Sequence, residues 1–383
     1  MSRRKRVLYV PALRMKVGEL EGLRALREDV ANCIIPLLIV PPAKDRSNGV
    51  QPTLFPLGQQ VPDVGSAVRP YWVHREAFID PRVLLTELEA GTAAEWLPKL
   101  FHRARSKGVF AIPTADLLTL GESAAAAFKR SIDPTAAIKF GLRVQSADLS
   151  DPDLDNKLLA LLADLGVVPS ECAVVLDFCD ADLSAPELVE PIIRAALEQM
   201  QTIGQWQLIT FLGTHFPERN PAKPDQSVIH PRNEWLAWVE AVKFDPTTAE
   251  YMVFGDFAAD CAKLDFKGQG GRPIPHTRYT TPTKWLIVRG DAEGATYKVM
   301  RQVFSRILKS GHFAGARFST ADAYIYDVAT GLSSSAGNAT TWRQLNTTHH
   351  ITQVVADIAS VRRIGIARVP AAPAGVQQEI GIP

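Results

Sequence analysis

Eight short apolar runs recur along the chain, and most are followed by a segment whose apolar positions repeat at helical spacing. The runs are Val7–Ala12, Cys33–Val40, Pro70–Val73, Gly108–Ile112, Ala136–Arg143, Cys172–Phe178, Trp206–Leu212 and Tyr251–Phe257. Strands that alternate with helices predict a parallel sheet. Eight such units within the roughly 250 residues typical of the fold predict an α/β protein with a (β/α)8 TIM-barrel-like parallel barrel. Cys33–Val40 supports this, because it is apolar on both faces, a pattern that suits a strand covered on both sides. Pro36 weakens that run, since proline donates no ladder hydrogen bond.

The intervening helices read as amphipathic. Leu20, Leu23 and Leu26 form the inner face of Glu19–Asp29, and Trp96, Leu97, Leu100 and Phe101 form that of Leu84–Lys107. Further helices are expected at Asp155–Leu165, Ala185–Met200 with Ser184 as N-cap, and Arg232–Val242. Residues 41–69, rich in Pro, Gly and Gln, read as an irregular insertion lying over the face where a barrel carries its chemistry. After the eighth run, Lys263–Pro275 reads as a connection. A strand at Thr283–Val288, a helix over Tyr297–Leu308, a Gly/Ser stretch at Gly331–Gly337 and a helix near Thr348–Val361 follow it. The expected organisation is a barrel at 1–261, a C-terminal α+β extension packed on it at 262–369, and a tail at 370–383.

Composition narrows the partners. The 383 residues are 46% hydrophobic, enough for a substantial core. With 42 basic and 41 acidic side chains, net charge +1, nothing global attracts nucleic acid or an anionic membrane. The basic start, Arg3, Arg4, Lys5 and Arg6, reads as a solvated terminus. Pro11 and Arg14 interrupt the first apolar run too early for a secretory signal, and no run approaches the ~18–20 apolar residues of a membrane span. The four cysteines include no C-x-x-C pair, so neither structural zinc nor disulfides are expected, and a cytoplasmic protein is the reading.

Parallel α/β folds bind ligands at the carboxyl ends of their strands. Lys16 and Glu19, behind Arg14, follow the first run; Arg143 ends the fifth; Asp177 lies near the end of the sixth; Thr214 follows the seventh; Asp256 tips the eighth. Asp177 and Asp256 beside Lys16 and Arg143 would form a mixed-charge pocket, its cations taking a phosphate or carboxylate and one carboxylate acting as general base. The plainer reading is that such groups cap helices and pair with one another. The extension adds Arg289, Asp322, Asn338, Arg343, His349 and His350. The adjacent histidines stand about 100° apart on a helix and form no metal-binding pair; one is expected to be buried and one to do acid–base work. No P-loop and no nucleophile elbow occurs, and no motif assigns a cofactor or a metal.

At these positions the chain resembles the Beta protein family, named after a bacteriophage protein. The resemblance rests on the opening Tyr9-x-Pro11-x-Leu13-x-x-Lys16-x-Gly18-Glu19 with Ala25-Leu26, then Phe254-Gly255-Asp256-Phe257 and Arg278-Tyr279-Thr280. It continues with Trp285, Arg289-Gly290, Phe318-Ser319-x-x-Asp322, Gly337-Asn338-x-x-x-Trp342-Arg343 and His349-His350-Ile351-Thr352. It implies a cytosolic protein of phages and bacteria linked to phage–host conflict, and carries no reaction with it. Two positions depart from the pattern: Val40 stands where an acidic residue is expected, and Phe257 where a tyrosine is.

Two functions compete. In one, the protein is a hydrolase-like enzyme acting on a small anionic or phosphorylated compound. Asp177, Asp256 and His349 are then catalytic, and Lys16, Glu19, Arg143, Thr214, Arg289, Asp322, Asn338, Arg343 and His350 bind the ligand. In the other, the barrel is a non-catalytic scaffold recognising a phage or host protein.

Overall fold

The computed structural model describes residues 7–46, 54–55, 60–88, 92–120, 124–263 and 274–366. Its frame is a closed barrel of eight parallel strands. These are β1 (Tyr9–Arg14), β2 (Leu37–Ile39), β3 (Glu76–Asp80), β4 (Phe110–Asp116), β5 (Phe140–Gln145), β6 (Cys172–Asp177), β7 (Leu208–Leu212) and, after the inserted β8 (Ser227–Pro231), β9 (Met252–Asp256). β9 closes on β1 with Tyr9 opposite Phe254 and Pro11 opposite Asp256. Helices surround the barrel, so the (β/α)8 expectation holds.

The third strand lies later than the apolar run suggested. Residues 70–73 belong to turns, and Trp72 is buried there with its Nε1 donating to Glu76 O at 2.8 Å. His74 takes a positive φ of 55°, which ends any extended run before Glu76. β8 pairs with β11 (Lys284–Arg289), which pairs with β10 (His276–Thr280), giving a separate antiparallel sheet. The sequence reading found only β11 of these three. Much of the 41–69 insertion and the whole 370–383 tail lie outside the described residues, as do Arg3–Arg6; helices Ala43–Arg46 and Val64–Val68 occupy part of the insertion.

Strand alternation divides the core in two. Val10, Ala12, Leu37, Ile39, Phe78, Ile112, Ala173, Val175 and Val253 form an inner cluster within the barrel. Tyr9, Leu13, Leu38, Ile79, Leu142, Val174, Ile209 and Phe254 face outward into the larger cluster shared with the helices. The final helix is longer than expected, running Ala339–Val361, because Asn338 caps it by accepting from Thr340 N and Thr341 N. Its residues Ile351, Val354, Val355 and Ile358 join that outer core. It packs closely on helix Val17–Arg24, where glycine is required: a Cβ on Gly18 would sit 2.6 Å from Thr340 O, and one on Gly22 2.7 Å from Thr347 Cβ. Among the described residues no helix is long and apolar enough to cross a membrane.

Candidate functional site

Strand parity decides which strand-end residues meet. Asp80, Arg143 and Asp177 share the inward face of β3, β5 and β6. Arg143 Nε bonds Asp177 Oδ2 at 2.5 Å and its Nη1 bonds Asp80 Oδ2 at 3.0 Å; Arg82 Nε lies 3.2 Å from the same Asp80 oxygen. Cys179 N donates to Asp177 Oδ1 at 3.0 Å. Burial pushes the Asp177 carboxyl up, but Arg143 and the Cys179 contacts outweigh it and hold it below its ordinary value. Burial, with Asp177 beside it, raises the Cys179 thiol, so no thiolate nucleophile forms there. The inner mouth of the barrel is thus an ionic cluster that satisfies itself.

Asp256 stands one step out of phase, on the outward face of β9 with Phe254. It does not join Asp177 and Arg143, and the mixed pocket expected from those residues does not assemble. Asp256 instead accepts from the Tyr9 hydroxyl, from Ala258 N at 2.9 Å and from His350 Nε2 at 2.9 Å. His350 Nδ1 meets the Thr280 hydroxyl at 2.8 Å. Burial lowers His350 and favours neutral imidazole, with Nε2–H donating to the carboxylate and Nδ1 accepting from Thr280. His349 Nδ1 lies 3.0 Å from Asp322 Oδ2 and Nε2 lies 2.7 Å from Thr280 O. Asp322 also accepts from Tyr279 Oη at 2.6 Å and Ser319 Oγ at 2.5 Å. All of these side chains are buried, and they lock the final helix to β9, β10 and helix Thr320–Thr330.

The remaining predicted residues divide between two places. Asn338 caps the final helix, and Arg289 Nη1 holds Ala222 O at 3.0 Å. Thr214 Oγ1 donates to Asp260 O at 3.0 Å, bracing the turn after β9. Glu19 and Arg343 come together at the carboxyl end of β1 and line a cavity of about 240 Å³. Lys16 does not line it; its Nζ lies 3.8 Å from Asp45 Oδ2, within electrostatic reach of Glu19, Arg14 and Arg343. Arg343 Nη1 bonds Glu19 Oε1 and Asp260 Oδ2, both at 3.0 Å. Arg14, inward at the tip of β1, pairs with Asp260 and lies 3.5 Å from Glu19 Oε1. Arg278 from β10 reaches Asp260 Oδ1 at 2.7 Å and stacks over Phe216 at 4.5 Å. Glu19 Oε2 is buried without a hydrogen-bond partner.

Sequence reasoning did not assign Arg278, Asp260 or His276 to a site, and left Arg14 as a passing neighbour. The Arg-Tyr-Thr motif was the available signal for Arg278. Asp260 follows Ala258 and Ala259, which carry positive φ of 49° and 61° and line the cavity. Two successive non-glycine residues in that region cost of order 1–2 kcal/mol each, strain of the kind that gathers at binding sites.

The electrostatics are those of crowded cations. Burial, then Arg343 and Arg14, bring Lys16 down to about 8. Burial, then Arg343, bring Arg278 to about 10. Burial, then Arg278, bring His276 to about 4, so its imidazole is neutral at pH 7; Nδ1 faces Ile274 O at 3.0 Å, leaving Nε2 as the acceptor nitrogen. In the cavity wall Arg278 and Arg343 balance Glu19 and Asp260, and Arg14, paired with Asp260 behind the wall, adds a third cation to the two carboxylates.

The Beta protein family model matches residues 9–356. The chain belongs to the Beta protein family. No curated protein matches it. The seam between helix Val17–Arg24, β9, β10 and the final helix unites most of the dispersed residues of the family resemblance: Gly18 for the close approach, Glu19 for Arg343, Asp256 for His350, and Ser319 and Asp322 for His349.

Proposed function

We propose that this Beta protein binds a small anionic compound, phosphorylated or carboxylated, in the cavity between Glu19, Asp260, Arg278 and Arg343. The observation that carries this reading is the convergence of Arg14, Arg278 and Arg343 on the two carboxylates of Glu19 and Asp260, with Arg278 and the nearby Lys16 displaced downward by burial and by Arg343. An anion placed there relieves that crowding, and guanidinium forks suit planar carboxylate or tetrahedral phosphate. The size of the cavity suits a ligand smaller than a typical drug.

A hydrolytic reaction at this place would draw on His276 and Glu19 for proton transfer. Asp177 is held by Arg143, and Asp256 is buried in the helix seam, so both serve as anchors in this reading. The family implies a setting of phage–host conflict. The thiols of Cys172, Cys179 and Cys261, in no disulfide among the described residues, support a reducing, cytoplasmic compartment. The runner-up is a non-catalytic scaffold, favoured by the locked strand-end carboxylates.

Thermal-shift titration with a panel of phosphorylated and carboxylated metabolites tests the proposal. A ligand of the folded state raises Tm with its concentration. The expected result is a saturating rise for one class of anion, lost in Arg343→Gln, and product release from that ligand would identify an enzyme. No saturating response to any anion would overturn the reading.

A further inference from the structure

A second concavity lies at the opposite end of the barrel. Helix Ala93–Ser106 follows β3 and helix Ala125–Ser131 precedes β5, and the groove between their C-terminal ends encloses about 830 Å³ beside the starts of β4 and β5. Its walls carry Lys99, His102, Arg103 and Arg130, all exposed. Arg130 Nη2 bonds a backbone carbonyl, Ala94 O at 2.9 Å, and among the described residues no carboxylate forms an ion pair with Lys99, Arg103 or Arg130. By contrast, both arginines lining the Glu19 cavity, Arg278 and Arg343, are matched by the Asp260 carboxylate. The acid at this groove, Asp133, is engaged by its own turn, accepting from Thr135 N at 2.9 Å and Thr135 Oγ1 at 2.7 Å.

Cations near helix C-termini are stabilised by the helix dipole, so their presence alone implies no partner. What sets this groove apart is concavity together with an apolar floor, made by Pro98, Ile132 and Pro134. The geometry points to a docking site for an acidic segment of a partner protein, whose carboxylates would take Lys99, Arg103 and Arg130 while apolar side chains between them fill the floor. A nucleic-acid backbone presents phosphates and sugars, leaves such a floor unfilled, and finds no Phe, Tyr or Trp among these lining residues on which to stack its bases. A chain of net charge +1 also offers a polyanion no general attraction. Arginine clusters reading acidic motifs are a recurring mode of peptide recognition, and steering by the cations makes such association salt-dependent. The site lies away from the Glu19–Arg343 cavity and stands independently of it.

Fluorescence anisotropy of a labelled peptide of repeated Asp-Glu-Leu, added to the full chain, tests this. Comparison probes are the same peptide with Asn-Gln replacing Asp-Glu, and a labelled oligothymidylate. The acidic peptide should bind, the amide peptide should not, and Arg103→Glu combined with Arg130→Glu should weaken binding at least about tenfold, the equivalent of 1.4 kcal/mol. Both positions are exposed, and circular dichroism of the double variant checks that it folds. Absence of peptide binding, unchanged affinity in the double variant, or tighter binding of the oligonucleotide lost in that variant would each overturn the inference.

Discussion

Arg343 reaches back 324 positions to hold Glu19 Oε1 at 3.0 Å, tying the start of the final helix to the first helix of the barrel. The contact exists because Gly18 lets the two backbones approach, and it sets one edge of the cationic cavity.

Glu19 stabilises the fold and opposes the ligand at the same time. Replacing it by Gln removes negative charge from beside Arg14 and Arg343 while keeping the side chain's shape. Glu19→Gln is expected to lose about 1–3 kcal/mol of stability, the usual cost of removing one partner of buried hydrogen-bonded charges. It should nevertheless bind the anion more tightly. Urea denaturation and calorimetric titration of the same preparation check both signs; weaker anion binding by a folded variant would contradict the account.

Lys16 couples anion binding to pH. Its value of about 8 is depressed by burial and by Arg343 and Arg14, and a bound anion favours the charged form. Affinity is therefore full below about 8 and falls as pH rises through it. A loss of about three- to tenfold between about pH 7 and about pH 9.5 is expected, flattened in Lys16→Gln. Titrations across that range measure it.

Glu234 gives a second pH signature, in stability rather than binding. It is wholly buried at the start of helix Asn233–Phe244, accepts from His215 N at 3.0 Å, and leaves Oε1 unpartnered. Burial, then Asp256, raise it from 4.5 to about 8. The folded state thus holds a proton that the unfolded state releases above 4.5, so this group's contribution falls as pH rises between those values. Glu234→Gln should remove that fall and stabilise the protein by about 1–3 kcal/mol at pH 8. Urea melts from pH 5 to 9 reveal it as a flatter profile.

Asp256 is expected to act as an anchor. Asp256→Asn leaves the Tyr9 hydroxyl and His350 Nε2 competing for one carbonyl oxygen inside the core. A loss of about 3–5 kcal/mol is expected, the scale for breaking a buried charged network from one side. Anion affinity of the remaining folded fraction should be unchanged, which equilibrium denaturation and calorimetry separate.

The barrel was legible because its rhythm is local: most apolar runs lie close in sequence to the helix that follows them. The third strand escaped because Tyr71 and Trp72 mimic a strand while plugging a turn, and the true strand Glu76–Asp80 carries charges at both ends. β8 alternates between exposed and half-buried, and β10 reads His-Thr-Arg-Tyr-Thr, so neither has an apolar signature. Glu19 and Arg343, singled out from their placement, do meet at the cavity, whereas Asp256 lies apart from Asp177 and Arg143 because one residue of strand phase separates the inside of the barrel from its helical coat. Arg278 and Asp260 belong to the cavity through contacts that span much of the chain, and no local pattern announces those.

The most direct measurement of the central claim is anomalous diffraction from crystals soaked in selenate, a heavy analogue of small oxyanions. The account predicts an ordered peak in the cavity bounded by Glu19, Arg278 and Arg343, absent when Arg343 is replaced by Gln. Selenate ordered only elsewhere, with that cavity unoccupied, would contradict it.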